Sequence, residues 1–228
     1  MHLPRFQYTF FALLTLTIAI NSAANADVII GGSILNGDFN ADTSTDDQRS
    51  FADTPFWENI GTGDQTVQAT RTTLPNTDGS RNAVMSHNAS RIFGMNTGYS
   101  IVEGDVFDIG YDWRDASGWN DATDQVQVSL FTTADDTIGG TRTNLVQMLS
   151  GLSATNAAYD TVDQNSVYTA VAGDAAKILF VEIDTISDDG AGFGRLDDFT
   201  LEVTPIPEPS SVAFVGLMFG LVALRRKR

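Results

Sequence analysis

Residues 105–114 read DVFDIGYDWR, and this stretch decides the fold class because it alternates apolar and polar residues at almost every step. Successive side chains of an extended chain point to opposite sides, so the large apolar residues share one face. That face carries Phe107, Ile109, Tyr111 and Trp113, and the opposite face carries Asp108, Gly110, Asp112 and Arg114. The pattern predicts a half-buried β-strand with Tyr111 and Trp113 in the core.

The same period of two continues on both sides of this strand. Residues 125–131 have an inward face of Val126, Val128 and Leu130 and an outward face of Gln125, Gln127 and Ser129. Further strands are predicted at 28–35, 56–60, 66–74, 83–87, 91–101, 145–152, 167–171, 177–183 and 195–203, with a polar, acidic loop at 41–53. The stretch 145–152 also suits a helical turn, but its β surroundings favour a strand. Short strands separated by Gly, Asn and Asp predict an all-β fold, an antiparallel β-sandwich or jelly roll.

The N-terminus carries the features of a secretory signal peptide. Arg5 precedes an apolar stretch at 6–20, and Ala24-Asn25-Ala26 is a small-residue cleavage site. Residues 1–26 are therefore predicted to direct export and to be removed by signal peptidase. The remaining 27–204 have the length of one domain, and neither a Pro- or Gly-rich linker nor an internal repeat is evident.

The C-terminus combines three features in a fixed order. Pro207-Glu208-Pro209 interrupts regular structure, an apolar run follows at 211–224, and the chain ends in Arg225, Arg226, Lys227 and Arg228. A basic end stays on the cytoplasmic side of a membrane. The apolar run of about 14 residues is shorter than the roughly 20 that span a bilayer, although an ordinary single-span tail anchor is the alternative.

In this order the three features resemble the PEP-CTERM sorting signal of Gram-negative bacteria that make exopolysaccharide. The resemblance covers residues 205–228 and implies transient anchoring in the inner membrane through a short transmembrane helix. It also implies cleavage near Pro207-Glu208-Pro209 by an exosortase-type protease. Release to the cell surface or extracellular matrix would follow.

Composition narrows the function further. The chain has 29 acidic and 13 basic residues, a formal net charge of −16, and no cysteine. Such an acidic domain lacks the cations that neutralise phosphates, which excludes nucleic-acid binding. The acids suit a solvated surface, specific calcium sites, or both. Without cysteine the domain has no disulfide and no cysteine nucleophile.

Two short motifs lie at opposite ends of the domain, NGDFN at 36–40 and GRLDDFTL at 194–201. Together they resemble the terminal motifs of galactose-binding-like β-sandwiches, a jelly-roll group that includes many carbohydrate-binding modules. The resemblance implies that the first and last strands meet and that a structural Ca²⁺ lies between them. By position its ligands would be Asp38, Asn40 and Asp197, and the alternative is that the two aspartates cap turns.

Catalytic residues are scarce in this sequence. His87 is the single histidine of residues 27–204, and no nucleophile elbow precedes a helix, so a catalytic triad has no support. The chain is therefore predicted not to be an enzyme. A small glycoside hydrolase remains the rival, since it needs only two carboxylates, and Glu103 and Glu182 would be the first to test.

A binding function depends on exposed aromatic side chains, because sugar C–H faces stack on aromatic rings. Trp57 and Trp113 are predicted to be buried, whereas Trp119 lies in the loop sequence SGWND. Trp119, and after it Tyr99, are the predicted ligand-binding residues, although a loop Trp can also fold back onto the sandwich. The sequence thus predicts a secreted envelope or matrix protein that is associated with exopolysaccharide and binds glycan weakly. A purely structural matrix protein is the alternative.

Overall fold

The structure is a computed structural model that describes residues 25–41, 48–71, 81–86, 90–115, 125–149, 159–186 and 193–206. Ala26–Thr204 form one compact unit. The predictions for the signal peptide, the sorting tail, His87 and Trp119 lie outside these residues. No helix within the described residues is long and apolar enough to cross a membrane.

The described residues form twelve strands and two short 3-10 helices. The strands are β1 (Asp27–Ile30), β2 (Gln48–Ser50), β3 (Glu58–Asn59), β4 (Gln68–Arg71), β5 (Asn82–Ser86), β6 (Phe93–Ser100), β7 (Val106–Asp115), β8 (Gln125–Thr133), β9 (Arg142–Leu149), β10 (Asp160–Thr169), β11 (Ile178–Ile186) and β12 (Phe193–Thr204). The 3-10 helices are Phe51–Asp53 and Ala172–Asp174.

Two antiparallel sheets make the sandwich. The seven-stranded sheet has the order β10-β7-β12-β5-β4-β2, and β1 pairs with β12 beyond the end of β5. The five-stranded sheet has the order β3-β6-β11-β8-β9. The predicted all-β, antiparallel sandwich is therefore confirmed. The first and last strands also pair, as the resemblance to galactose-binding-like modules implies.

The core lies between the sheets and is rich in aromatic rings. The inward residues of β7 are at most 2 % exposed, as their alternation predicts. Trp57 is equally buried, and its ring stacks on Phe39 at 5.4 Å and meets Phe199 edge-on at 5.9 Å. The inward residues of β8 are fully buried as well. Burying aromatic surface of this size is the main source of stability in a domain without disulfides.

The predicted strands differ most from the structure in three places. β10 starts at Asp160 rather than at 167, because it is an edge strand whose residues are mostly exposed and so show no apolar alternation. β2 lies within the predicted 41–53 loop and is a three-residue edge strand. β1 ends at Ile30 rather than at 35, because Gly31 and Ile34 close a tight turn around Gly32, whose φ is +49°.

The outer face of the five-stranded sheet is also partly covered. Phe131 and Phe180 stack on each other at 5.3 Å, and the Arg142 guanidinium lies 4.1 Å from the centre of the Phe131 ring. Arg142 also forms an ion pair with Glu182. Ser129, which the strand pattern places on this outward face, is fully buried as well.

Two similar turns, which we call the Tyr–Asp turns, close one end of the sandwich. One connects β6 to β7 and the other connects β10 to β11. Their sequences are YSIVEGD at 99–105 and YTAVAGD at 168–174. Tyr99 donates a hydrogen bond to Asp105 at 2.8 Å, and Tyr168 donates one to Asp174 at 2.6 Å. Burial and this hydrogen bond raise the pKa of Tyr168 to about 12. A seven-residue motif thus occurs twice in the domain, once at each of these turns.

Main-chain hydrogen bonds join the two Tyr–Asp turns to each other. The N–H of Gly104 donates to the carbonyl of Ala170 at 2.9 Å, and the N–H of Ala170 donates to the carbonyl of Asp105 at 2.8 Å. Ile101 likewise donates to Lys177 at 2.9 Å and accepts from Ala176 at 2.8 Å. These bonds tie both sheets together at this end.

Candidate ligand-binding face

The outer face of the seven-stranded sheet carries two groups of charged side chains on the same two strands. The outward residues of β7 lie opposite residues of β12 in register: Asp108 with Glu202, Gly110 with Thr200, Asp112 with Asp197, and Arg114 with Arg195. Side chains on one face of a strand follow each other at about 7 Å. Carboxylates therefore occupy one end of the face and guanidinium groups the other.

The carboxylates line an open groove of about 450 Å³, which we call the acidic groove. Its exposed or partly exposed hydrogen-bonding side chains come from β7, β10 and β12: Asp108, Asp112, Thr161, Asp163, Asn165, Asp198, Thr200 and Glu202. A second depression of about 530 Å³ adjoins it along β10 and shares Thr161 and Asp163. The groove offers many hydrogen-bond acceptors on a surface that is open to solvent.

Gly110 forms the floor of the acidic groove. A Cβ atom at this position would lie 2.6 Å from Oγ1 of Thr200, closer than such atoms approach in proteins. The Thr200 hydroxyl donates a hydrogen bond of 3.3 Å to the carbonyl of Gly110. A larger residue would therefore displace Thr200 and fill the middle of the groove.

At the other end of the face, four arginines form what we call the arginine cluster: Arg71, Arg91, Arg114 and Arg195. Arg114 and Arg195 pair across β7 and β12 and are 6 % and 4 % exposed. Arg71 lies opposite Asn82 of β5, and Arg195 lies opposite Val84 of the same strand. Asn82 and Val84 are two residues apart and point to the same side, so Arg71 and Arg195 share one face. Arg91 lies over the Phe193 ring at 5.3 Å, and Arg114 lies over the Tyr159 ring at 5.5 Å.

The arginine cluster has little compensation for its charge within the described residues. None of the four forms an ion pair with a described carboxylate, and the Nε atoms of Arg71, Arg114 and Arg195 are buried without a hydrogen-bond partner. Burial, together with the nearby charges of the other three, lowers the pKa of Arg195 to about 10. Buried cations in this arrangement are costly unless an anion joins them.

The predicted calcium ligands occupy both terminal motifs, which meet where Phe199 N–H donates to Gly37 O at 3.0 Å. Asp38 accepts from the Asn40 N–H at 3.1 Å, Asn40 accepts from the Arg81 N–H at 2.9 Å, and fully buried Asp197 accepts from the Asp198 N–H at 2.9 Å. Within the described chain, no three His, Asp or Glu residues are grouped as metal ligands.

The three predicted ligands fit Ca²⁺ only in part. They comprise two carboxylates and an amide, so they supply a minority of the six to eight oxygens that Ca²⁺ takes. Carbonyl groups or water would have to provide the others. Calcium binding at this place therefore stays a prediction.

Tyr99, the second predicted ligand-binding aromatic, lies at the edge of the core. Its ring meets Phe107 edge-on at 6.0 Å, and its hydroxyl is held by Asp105. Burial and this hydrogen bond raise the pKa of Tyr99. A more exposed aromatic is Phe56, which is 57 % exposed and has φ of +71°, a conformation that bulky residues rarely adopt.

The two glutamates selected for a hydrolase are not brought together. Glu103 is exposed in the turn after β6, whereas Glu182 on β11 pairs with Gly94, near the start of β6. Six residues of strand separate Gly94 from the end of β6, or about 20 Å. Glycosidase carboxylates lie only about 5 to 9.5 Å apart.

Sequence reasoning missed the arginine cluster. The alternation of β7 placed Arg114 on the outward face, but it gave no sign that three more arginines converge there. One signal was available, because seven of the eight basic residues of 27–204 are arginine and only Lys177 is lysine. Arginine is preferred over lysine where cations are buried or bind carboxylates.

Comparisons with known proteins show likeness of fold alone. No family model matches the chain, and no curated protein matches it. A Stig cyclase from Fischerella sp. TAU, solved in complex with an indole compound, superposes with a TM-score of 0.56 at 12% identity, covering 80% of this chain and 100% of the cyclase.

Two carbohydrate-related structures also share the fold. The tandem CBM22 domain of Paenibacillus barcinonensis Xyn10C has a TM-score of 0.51 at 11% identity, covering 82% of this chain and 49% of that one. The arabinose-bound α-L-arabinofuranosidase MgGH51 has a TM-score of 0.51 at 16% identity, covering 75% of this chain and 26% of the enzyme. The chain thus spans about half and about a quarter of these two proteins. All three likenesses show that the chain shares a β-sandwich fold with these proteins.

Proposed function

We propose that this protein is an exported polysaccharide-binding protein of the cell surface or extracellular matrix, without catalytic activity of its own. The observation that carries the proposal is the acidic groove, an open depression on a rigid sheet face lined by carboxylates, hydroxyls and an amide. Sugar hydroxyl groups are donors and acceptors, and such side chains bind them by hydrogen bonds. An open groove admits a polymer, whereas a closed pocket would admit only its end.

The fold supports the same proposal. It is shared with the CBM22 tandem domain and with part of an arabinose-bound arabinofuranosidase, and this likeness to carbohydrate-related proteins supports the proposal. The likeness to a cyclase, solved with an indole compound, shows that the fold also serves other chemistry. The separation of Glu103 from Glu182 argues against the hydrolase alternative.

The location we propose rests on the two chain ends. The 1–26 segment would be removed by signal peptidase, and the PEP-CTERM-like tail at 205–228 would be recognised by an exosortase-type protease. Intact-mass analysis of the protein isolated from the extracellular matrix tests this. The mature chain should begin at Asp27 and lack most of the segment after Pro209, and persistence of the terminal arginines would indicate a plain membrane anchor instead.

Calcium would add stability at Asp38, Asn40 and Asp197. An ion that binds only the folded state stabilises by about 2.7 kcal/mol at 100 times its dissociation constant. Thermal melts in calcium and in magnesium at equal ionic strength separate specific binding from screening. We expect a calcium-selective rise that is lost in Asp197→Asn, and equal curves in the two salts would remove calcium from the proposal.

Polysaccharide pull-down with the secreted protein tests the binding function. We expect wild-type protein to be retained and Gly110→Val to lose retention, because the new side chain fills the acidic groove. Gly173→Val is the matched control, since a Cβ there meets nothing within 4 Å. Trp119→Ala tests the loop aromatic in the same assay, and Phe56→Ala tests the exposed one.

If no polysaccharide retains the wild-type protein, the alternative of a purely structural matrix protein is favoured. Equal retention of the Gly110 and Gly173 variants would place binding elsewhere than in the acidic groove. Turnover of a bound polysaccharide would instead support the alternative that the protein is a small glycoside hydrolase.

A further inference from the structure

We propose that the arginine cluster binds the carboxylate groups of an acidic polysaccharide, so that the ligand class of this face is a polymer containing uronic acids. This inference rests on the proposed function and adds the chemistry of the sugar. It concerns Arg71, Arg91, Arg114 and Arg195, which no sequence motif had singled out.

Within the described residues, no carboxylate is paired with the arginine cluster. Arg114 and Arg195 are more than nine-tenths buried, and in the described part of the chain each has an Nε–H without a hydrogen-bond partner. Arg91 has two such nitrogens. A buried donor without an acceptor is costly, and a buried cation without an anion more so. An anionic ligand on the guanidinium groups would supply the missing counter-charge.

The shape of the guanidinium group also favours a carboxylate ligand. Its planar fork presents parallel N–H donors that match the two oxygens of a carboxylate. The Tyr159 and Phe193 rings hold Arg114 and Arg91 in place by stacking. Side chains fixed in this way lose little freedom when a ligand binds, which favours recognition of one geometry over general attraction of anions.

The arginine cluster is also continuous with the acidic groove along the sheet. Arg114 and Arg195 follow Asp112 and Asp197 on the same face of β7 and β12. The step between such neighbours is about 7 Å, so one polymer chain can reach both ends of the face. Hydroxyl groups would lie in the acidic groove and a carboxylate would lie on the arginines. The acidic groove would in turn repel the carboxylate of a sugar placed in the wrong register.

The overall charge of −16 opposes the binding of a polyanion, so binding depends on local contacts with the arginine cluster. A polyanion is repelled by the protein at long range, but this repulsion fades beyond about 10 Å at 0.1 M salt. Contacts with the arginine cluster act at hydrogen-bond distance and persist. Binding should therefore be measured at about 0.1 M salt rather than at low ionic strength.

The test compares polygalacturonate with its methyl ester, which has the same sugar backbone without the charge. We expect the secreted protein to bind polygalacturonate at least about tenfold more tightly than the ester, the difference that one charge-assisted hydrogen bond makes. Arg114→Gln and Arg91→Gln should remove this preference. Arg142→Gln is the matched control, because Arg142 lies on the other sheet and is paired with Glu182.

Trigalacturonate adds a readout that needs no variant. It should raise the melting temperature of wild-type protein, whereas its methyl ester should not. This keeps the inference testable if a cluster variant fails to fold. Dextran sulfate serves as a further arm, and equal binding of sulfate and carboxylate polymers would overturn the assignment to uronic acids.

The outcomes separate this inference from the proposed function. Equal affinity for polygalacturonate and its ester, with loss in Gly110→Val, would overturn the inference and keep polysaccharide binding. No binding of any polysaccharide would overturn both. If carboxylates of the chain itself neutralise the arginines, trigalacturonate will leave the melting temperature unchanged, and the inference is wrong.

Discussion

The acidic groove and the arginine cluster occupy the same face of the same two strands, yet their charges have opposite environments. Asp108, Asp112 and Glu202 are partly exposed, and water can solvate them in the open groove. Arg114 and Arg195 are almost fully buried. The difference shows that a polar position on the outward face of a strand is not necessarily a solvated one. It also marks where the protein carries an electrostatic cost that a ligand can relieve.

The largest effect should come from Trp113, the inward neighbour of Asp112 and Arg114 on β7. Trp113→Ala should lower the free energy of unfolding by about 3 to 5 kcal/mol, the usual cost of deleting a buried aromatic side chain. Urea denaturation measures it. A similar loss for Asp108→Ala would mean that the two faces of β7 are wrongly assigned, and the comparison of its outward residues would then fail.

The arginine cluster should respond in the opposite direction. Without ligand, Arg195→Met should raise the free energy of unfolding by about 1 to 2 kcal/mol, because an uncompensated buried charge is replaced by an apolar side chain of similar length. Arg142→Met is the contrasting variant and should lower the stability, since it leaves the carboxylate of Glu182 without its cation. If Arg195→Met destabilises as well, the cluster is compensated and the contrast between the two ends disappears.

A half-buried carboxylate on the other sheet, Asp184, sharpens the comparison. Burial raises the pKa of Asp184 above its ordinary value of 3.8, and the charge of Glu182 adds to the rise, although the Thr185 N–H and Arg142 oppose it. The folded state then holds this proton more tightly than the unfolded state. Its contribution to stability is present below the unfolded pKa and is lost as the pH rises through the folded pKa.

Urea melts of wild-type protein and Asp184→Asn across this pH range measure the contribution of Asp184. The wild type should lose stability relative to the variant as the pH rises above about 4, the unfolded value for Asp. Other carboxylates cancel in the difference. A difference that is flat with pH would show that Asp184 is as well solvated as the groove carboxylates.

The smallest effect should come from the groove itself. Asp108→Asn should change the free energy of unfolding by less than about 0.5 kcal/mol, as surface substitutions usually do. Any gain from relieving repulsion by Glu202 should shrink when salt is added. A change as large as that for Arg195→Met would mean that the acidic groove is desolvated too.

The sequence predicts the interior of this fold better than its edges. Alternation identifies β7 and β8 because each buries one face, and it misses most of β10 because an edge strand needs no apolar face. Terminal motifs predict the pairing of β1 with β12. The arginine cluster could not be read from the sequence, since its members come from four separate segments and converge only in the folded sheet. Seven arginines against one lysine was the one available indication.

The two Tyr–Asp turns should make local opening of this sandwich uneven along its length. They link both sheets through main-chain hydrogen bonds at the end where β7 begins, so we expect that end to open least. Arg114 lies eight residues further along β7, or about 26 Å away. Local opening should therefore be greatest at the end that carries the arginine cluster. Hydrogen exchange should be slowest at Gly104 and Ala170, and a long polymer would meet the protein at the end that yields most easily.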